Sequence, residues 1–427
     1  MDILVLFGSL TFFLTCSIPI GIALGLATAL TLATTSDIPL ILIAQNAFAA
    51  LDSFPLLAIP FFMLAGSLMS YGGISRRLVA LAEGLVGFIT GGLAMVTVVA
   101  CMFFAAISGS GPATVSAIGS FMIPAMHARR YDDAFAAALT AAAGSIGVII
   151  PPSIPFVIFG VVSGASVGEL FMAGIVPGIV IGCALMGVSY IIARKKGFAA
   201  SAKEGPRKSL WASFKESVWA LMVPVIILGG IYGGIFTPTE AAVVAVVYAL
   251  LVGRFIYKEL DFANLYAAFK DATLVNGATT FMIGLSMSFA SYLAMEQIPL
   301  RIGEWFTSMA TSPALVLLLI NGLLLVVGCF VDNISSMIIL TPILLPVVTR
   351  MGVDPVHFGL VMTVALATGF VTPPYGANLF VASAVSGVNI ERISRNVFPF
   401  ILAMIGCLLL FTYVPGVSMG LVQLLLR

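Results

Sequence analysis

The segment SGSGPATVSAIGSFMIP (108–124) and the segment FVDNISSMIILTPILLP (330–346) lie 222 positions apart and overlie one another. The same shift carries Pro151-Pro152 onto Pro373-Pro374, Gly147 onto Gly369, and Pro177 onto Pro399. Chance coincidence among the 22 prolines of an apolar chain is the alternative reading. Matches at a single offset that include a double proline favour an internal repeat instead.

The composition excludes a water-soluble protein. Only 9% of the residues are charged and 61% are hydrophobic, whereas a soluble domain carries about 25% charged residues. A spanning helix needs about 20 apolar residues. Stretches free of Asp, Glu, Lys and Arg reach or exceed that length at 3–36, 134–168, 218–239, 305–331 and 396–426. Apolar runs such as 315–327 do not alternate as barrel strands do, so we predict an all-α polytopic membrane protein.

The repeat divides the chain into three parts: a first repeat (1–192), a connecting segment (193–217) and a second repeat (218–427). Seven of the 19 basic residues lie in the connecting segment, which the positive-inside rule places in the cytoplasm. If each repeat crosses the membrane an odd number of times, the repeats are inverted and both termini are periplasmic. Inverted repeats are a recurring construction of secondary transporters.

Polar, glycine-rich and proline-rich interruptions occur at matching places in the two repeats, at 108–112 and 144–155 and again at 328–336 and 368–374. Proline removes an amide hydrogen and clashes with the preceding turn, so these helices should unwind or kink. Freed carbonyls cost several kcal/mol in lipid unless a ligand binds them, and broken helix ends present dipoles to ions. Kinks that bind nothing are common in membrane helices, but the matched breaks favour a pair of Na⁺ sites flanking an anion site.

Asp332 stands out as an isolated acid. No Lys or Arg occurs between Trp305 and Thr349, and a carboxylate inside a membrane usually faces a cavity, a partner or an ion. A position at the bilayer edge is the alternative. Glu240, by contrast, follows Thr237-Pro238-Thr239 and is expected to lie in the first turn of a helix capped by Thr237 or Thr239.

The motifs SGSGPATVSAIGSFMIPAM, GSIGVIIPPSIPFVIFG, GGIFTPTEAAVVAVVYAL and VDNISSMIILTPILLPV, followed by FVTPPYGANLFVAS, resemble the large membrane subunit (M subunit, DctM-like) of tripartite ATP-independent periplasmic (TRAP) transporters. The resemblance covers essentially the whole chain. It implies a bacterial inner-membrane transporter of the elevator type with two re-entrant hairpins, in which 108–125 and 328–347 lie. The Na⁺ sites that it implies fall on Ser108, Ser110, Gly147, Pro151, Gly328, Asp332, Thr368 and Thr372.

The resemblance also implies two protein partners, a small four-helix membrane subunit (Q subunit) and a periplasmic substrate-binding protein (P subunit). The chain opens on a first spanning helix, so a separate small subunit is expected. Family substrates are organic acids, including C4-dicarboxylates and sialic acids, and overall similarity favours sialic acid. We therefore expect import of a small organic acid coupled to Na⁺, with two or more Na⁺ ions bound.

Other function classes fit less well. An intramembrane serine protease would need a base beside Ser110, and only His127 and His357 are available. The two histidines and five scattered cysteines do not suggest a metal centre. A passive channel or a non-transporting scaffold ranks second to the transporter. The chain lacks a G-x-x-x-x-G-K-[ST] motif, so we expect no direct use of ATP, and we expect no nucleic-acid partner.

Overall fold

The computed structural model describes residues 2–35, 38–198, 210–298 and 312–427, and among these residues the regular structure is helical. The described helices are α1 Asp2–Thr15, α2 Ile20–Thr35, α3 Ile41–Leu51, α4 Ala58–Tyr71, α5 Ile74–Val86, α6 Gly92–Ser108, α7 Gly111–Ala128, α8 Asp133–Gly144, α9 Ile154–Ser163, α10 Val167–Lys196, α11 Leu210–Tyr232, α12 Pro238–Leu251, α13 Phe262–Met295, α14 Pro313–Phe330, α15 Asn333–Arg350, α16 Pro355–Gly369, α17 Ala377–Ser386, α18 Ile390–Tyr413 and α19 Pro415–Leu425.

Eight of these helical segments are long and apolar enough to cross a membrane, counted over the described residues. The longest are Val167–Lys196, Phe262–Met295 and Ile390–Tyr413. The prediction of an all-α polytopic protein is therefore confirmed.

Side-chain caps explain where many of the interior helices begin. Ser110, Ser153, Asp132, Asp332 and Asp354 each stand at an N-cap in extended conformation and accept a hydrogen bond from an amide of the first turn. Such a bond satisfies one of the four amides that a helix start leaves free. Short polar residues thus fix helix starts inside otherwise apolar sequence.

The internal repeat appears in the helix boundaries. Helix α7 spans Gly111–Ala128 and α15 spans Asn333–Arg350, so both ends are displaced by the same 222 positions as the proline pairs. Both proline pairs lie in unwound segments that precede α9 and α17. The predicted breaks are therefore confirmed as interruptions of helical structure.

Two helical hairpins, α6–α7 (hairpin 1) and α14–α15 (hairpin 2), open at opposite ends of α10. At the C-terminal end of α10, a Cβ on Gly91 would lie 2.5 Å from Ala193 Cβ, and the Tyr131 ring stacks 4.3 Å from Phe198. Both Gly91 and Tyr131 flank hairpin 1. At the N-terminal end, Glu169 shares Arg427 with Asp354, which follows hairpin 2. Helix α10 has 30 residues and is about 45 Å long, so the hairpins enter the fold from opposite sides.

Helices α8 and α16 form the centre of the protein. Every residue of α8 from Ala134 to Gly144 is buried, and so is every residue of α16 from Val356 to Gly369. Both hairpins and helices α9, α10, α17 and α18 surround them. Helices α2–α4 and α11–α13 form an outer group, in which α3 has no buried residue, and α5 packs on both α6 and α11.

Part of the predicted connecting segment 193–217 is helical. Helix α10 continues to Lys196 and α11 begins at Leu210, because the basic residues Arg194, Lys195 and Lys196 favour the last turn of a helix. The predicted basic residues Lys203, Arg207 and Lys208 lie outside the described residues.

Candidate ion and substrate site

The tip of hairpin 1 holds Ser108 and Ser110 on either side of Gly109. Helix α6 ends at Ser108, Gly109 takes a left-handed conformation with φ 62°, and Ser110 caps α7. The Ser108 Oγ lies 2.9 Å from Thr114 Oγ1, and Thr114 Oγ1 donates to the Ser110 carbonyl at 2.8 Å. The tip thus combines a helix C-terminus, a helix N-terminus and three hydroxyls, of which that of Thr114 was not predicted.

The unwound segment after α8 packs directly on this tip. A Cβ on Gly147 would lie 2.5 Å from Thr114 Oγ1 and 2.6 Å from the Ser110 carbonyl oxygen, so only glycine permits this approach. The Ile154 amide donates to the Gly109 carbonyl at 3.3 Å. The fold therefore brings Ser108, Ser110 and Gly147 together. Pro151 lies in the same unwound segment, next to Pro152, whose carbonyl oxygen faces Gly109.

The tip of hairpin 2 places Asp332 at the start of α15. Its Oδ2 accepts hydrogen bonds from the amides of Ile334 at 2.9 Å and Ser335 at 3.2 Å. Its Oδ1 is buried without a hydrogen-bond partner in the described part of the chain, as are the Asn333 amide group and the Ser336 hydroxyl. Asp332 is therefore a helix cap inside the fold, not a water-solvated residue at a bilayer edge.

The second unwound segment packs on hairpin 2 as the first does on hairpin 1. A Cβ on Gly369 would lie 2.3 to 2.5 Å from the backbone of Gly328, so the two backbones are in direct contact. Thr368 precedes this contact and is fully buried, and Thr372 Oγ1 donates to the Thr368 carbonyl at 2.8 Å. The Cys329 thiol lies beside the Thr372 side chain. Gly328, Asp332, Thr368 and Thr372 thus belong to one neighbourhood.

The two neighbourhoods adjoin each other through Asn378 and Phe370. A Cβ on Gly111, at the first tip, would lie 3.1 Å from Asn378 Oδ1 and 3.3 Å from the Phe370 ring. The fully buried Asn378 side chain donates to the Ala141 carbonyl and to Ser145 Oγ, both at 3.1 Å. Sequence reasoning missed Asn378, since its partners are more than 230 positions away.

The chemistry of this region fits an alkali cation. Oxygen atoms of carbonyls, hydroxyls and carboxylates are the ligands that hard cations prefer. Buried polar atoms are nearly always paired. Asp332 Oδ1 and Ser336 Oγ have no hydrogen-bond partner among the described residues, so both oxygens of the second tip are available as ligands. At the first tip, by contrast, the hydroxyls and the carbonyls of Gly109 and Ser110 already take part in hydrogen bonds within the protein. No group of three His, Cys, Asp or Glu side chains occurs among the described residues.

The arrangement around the histidines does not support a serine protease. His127 Nδ1 lies 2.6 Å from Asp133 Oδ1, and His357 Nδ1 lies 2.8 Å from Ser418 Oγ. Ser110 accepts a hydrogen bond from the Ala113 amide. Glu240 has the structural role that was predicted for it, because it forms a capping box with Thr237 at the start of α12.

Comparison with known proteins shows extended similarity to transporter subunits. The family model for the DctM component of tripartite ATP-independent periplasmic transporters matches residues 7–417. The isethionate TRAP transporter permease protein DctMQ of Oleidesulfovibrio alaskensis is 49% identical over 97% of this chain and 65% of its own length. The chain thus spans about two thirds of that relative.

Two further relatives match over nearly their whole length. The C4-dicarboxylate large permease protein DctM of Rhodobacter capsulatus is 39% identical over 100% of both chains. The sialic acid large permease protein SiaM of Vibrio cholerae is 38% identical over 96% of this chain and 95% of its own. The crystal structure of the Alcanivorax borkumensis YdaH transporter superposes with a TM-score of 0.64 at 13% identity, covering 89% of this chain and 88% of that one.

The relatives are permeases, which confirms that this chain is not an enzyme, and the YdaH likeness supports the fold. Together with the paired hairpins and the oxygen-rich tips, the match over 7–417 shows that the chain belongs to the DctM family, the large membrane components of tripartite ATP-independent periplasmic transporters.

Proposed function

We propose that this chain is the membrane subunit of a Na⁺-coupled importer of a small organic acid in the bacterial inner membrane. The observation that carries the proposal is the second tip, where Asp332 Oδ1, Asn333 Oδ1 and Ser336 Oγ are buried without a hydrogen-bond partner among the described residues. A bound cation would satisfy these oxygens and offset the cost of a carboxylate within the membrane. We propose Ser108, Ser110, Gly147 and Pro151 as the first Na⁺ site, and Gly328, Asp332, Thr368 and Thr372 as the second.

The substrate would bind between the two tips. The N-termini of α7 and α15 point their positive dipole ends into this region, where they favour an anion. Named relatives transport isethionate, C4-dicarboxylates, sialic acid and 2,3-diketo-L-gulonate, all of which are organic acids. Sialic acid therefore stays one candidate of several, and isethionate joins it because of the 49% identity of that relative.

Movement of the hairpin-bearing group against the outer group would carry the substrate across the membrane. We propose that cation binding orders the two tips and completes the anion site before this movement. We also propose a separate small membrane subunit on the outer group and a periplasmic binding protein that delivers the substrate. The connecting segment would face the cytoplasm and both termini the periplasm.

Uptake into proteoliposomes tests the proposal. The chain is co-purified with the small membrane protein encoded beside it, and the neighbouring binding protein is added outside with labelled isethionate, sialic acid or succinate. We expect saturable uptake of one of these acids that needs both an inward Na⁺ gradient and the binding protein. Uptake that ignores the Na⁺ gradient would exclude Na⁺ coupling, and non-saturable flux without any gradient would support a channel.

A further inference from the structure

A cavity of about 220 Å³ separates the tip of hairpin 1 from the outer group of helices. On the hairpin side it is lined by Ser108, Ser110 and Ser116. Ser108 and Ser110 belong to the proposed first Na⁺ site, while Ser116 lies further along α7 and is exposed. The cavity therefore connects directly with the first tip.

The outer group supplies the opposite wall. Ser67, Ser70 and Tyr71 lie on one face of α4, and Asp271 extends from α13. The Tyr71 hydroxyl bonds to Asp271 Oδ2 at 2.5 Å. A Cβ on Gly66 would lie 3.4 Å from Ser108 Cα, so this glycine lets α4 approach the tip closely.

The polar side chains along this cavity offer oxygen only. Among the described residues that line it, five are serines, one is Tyr71 and one is Asp271, and none is basic or carries an amide side chain. Hydroxyl and carboxylate oxygens are ligands for hard cations, and a carboxylate repels an organic anion at close range. The Asp271 carboxylate therefore favours a cation over an anion at its end of the cavity.

We propose that this cavity is an additional Na⁺ site, in which Asp271 binds the cation on its path between the first tip and solution. The proposal rests on the proposed Na⁺ coupling and adds a residue of the outer group to it. The Asp271 carboxylate supplies the charge, and the serine hydroxyls on the two walls supply neutral oxygen ligands.

A purely structural link between α4 and α13 is the competing explanation for the Tyr71–Asp271 bond. Such a link needs the Tyr71 hydroxyl and an acceptor oxygen, which asparagine retains, so Tyr71→Phe would then have a larger effect than Asp271→Asn. A cation site depends on the charge, which Tyr71→Phe keeps and Asp271→Asn removes.

A neighbouring cavity of about 480 Å³ shares Ser70 and Tyr71 with the first and is also lined by Arg76 and Glu259, so Tyr71 borders both cavities.

The test measures uptake in proteoliposomes as a function of Na⁺ concentration, with choline replacing Na⁺ at constant ionic strength. For Asp271→Asn we expect the half-saturating Na⁺ concentration to rise about three- to tenfold, with the substrate half-saturation at saturating Na⁺ unchanged. Tyr71→Phe should change the half-saturating Na⁺ concentration by less than about twofold. Asp271→Glu keeps the negative charge and should therefore have about the wild-type half-saturating Na⁺ concentration. Asp261→Asn, at the N-cap of the same helix α13, is the matched control and should leave it unchanged.

A second readout is the Na⁺-dependent rise of the thermal unfolding midpoint of the purified protein in detergent. We expect its Na⁺ midpoint to shift to higher concentration in Asp271→Asn and to stay in place in Asp261→Asn. Unchanged Na⁺ dependence of both uptake and unfolding in Asp271→Asn would overturn the additional site while leaving Na⁺ coupling intact. If uptake by the wild-type protein did not depend on Na⁺, the proposed function would be overturned. The Na⁺ dependence of thermal unfolding would then be the test of Na⁺ binding in the cavity.

Discussion

At the scale of single residues, the two carboxylate oxygens of Asp332 have different surroundings. Oδ2 accepts two amide hydrogen bonds at the start of α15, while Oδ1 is buried without a partner in the described part of the chain. Asn and Asp cap helices about equally well, so an asparagine at this position would keep the cap. It would, however, lose the negative charge. The two properties can therefore be separated by mutation.

We predict that Asp332→Asn leaves the thermal unfolding midpoint without Na⁺ within a few degrees of wild type, because the cap persists. The half-saturating Na⁺ concentration for uptake should rise by about tenfold or more, since the cation loses its charged ligand. Asp332→Ala should in addition cost about 1 kcal/mol through loss of the cap. Na⁺-titrated uptake and unfolding curves measure both effects.

Asp132→Asn provides the control, because Asp132 caps α8 by the same kind of bond, to the Phe135 amide at 3.0 Å. It should leave the Na⁺ dependence unaltered. If Asp332→Asn showed wild-type Na⁺ dependence, the second Na⁺ site would have to be sought elsewhere.

The position of Asp332 inside the fold was predictable because an acid in a long apolar stretch is conspicuous, whereas the contacts of Thr114 and Asn378 were not. Thr114 is one of many threonines in apolar sequence, and its importance arises from its 2.9 Å approach to Ser108 in the folded hairpin. Asn378 donates a hydrogen bond to the Ala141 carbonyl of the first repeat, and a local sequence pattern cannot predict a contact between residues 237 positions apart. Sequence thus identified the groups that are chemically unusual where they stand, but not those whose role depends on long-range packing.

At the scale of elements, α14 and α16 cross in direct backbone contact at Gly328 and Gly369. A Cβ on Gly369 would lie within 2.5 Å of three backbone atoms of Gly328, and backbone cannot move aside as a flexible side chain can. The proline pair predicted that the helix would break nearby. It did not show which helix lies opposite, because the partner is determined by the packing of the whole hairpin.

We predict that Gly369→Ala destabilises the protein by about 1–3 kcal/mol or more, because the added methyl group forces α14 and α16 apart. Since Asp332 and Thr368 flank this contact, Na⁺-dependent stabilisation should weaken as well. Thermal unfolding in detergent, with and without Na⁺, measures both effects. Gly406→Ala in α18 is the matched control: a Cβ there meets no atom within 4 Å, so stability should stay equal or rise by up to about 1 kcal/mol. Equal midpoints for the two variants would contradict the close-packing argument.

At the scale of the whole molecule, α10 relates the two repeats, because hairpin 1 opens at one of its ends and hairpin 2 at the other. The offset of 222 positions predicted the repeat, and the helix boundaries reproduce it. Hydropathy falls at Arg194, yet α10 continues to Lys196, because a helix can extend beyond the membrane when its last turn carries basic residues.

Arg427 connects three parts of the chain at the end of α10 that lies away from the connecting segment. Its guanidinium bonds to Asp354 Oδ2 at 2.6 Å and to Glu169 Oε2 at 2.5 Å, so it joins the starts of α16 and α10. Partial burial raises the pKa of Asp354, but the Arg427 guanidinium and the amides of Val356 and His357 outweigh it and hold that pKa below its usual value. A lowered carboxyl pKa stabilises the folded state above about pH 4, and the benefit is lost as the pH falls through the folded-state pKa.

We therefore predict that Arg427→Gln lowers the thermal unfolding midpoint at neutral pH, and that the gap to wild type shrinks as the pH falls below about 4. Arg395→Gln is the control, because Arg395 pairs with Glu391 of the same helix α18 at 2.7 Å, and both side chains are more than 70% exposed. Exposed pairs of this kind contribute about 0–1 kcal/mol, so its midpoint should hardly change. A gap for Arg427→Gln that stays constant down to low pH would mean that Arg427 acts through packing, because the attraction to Asp354 must disappear once that carboxyl is protonated.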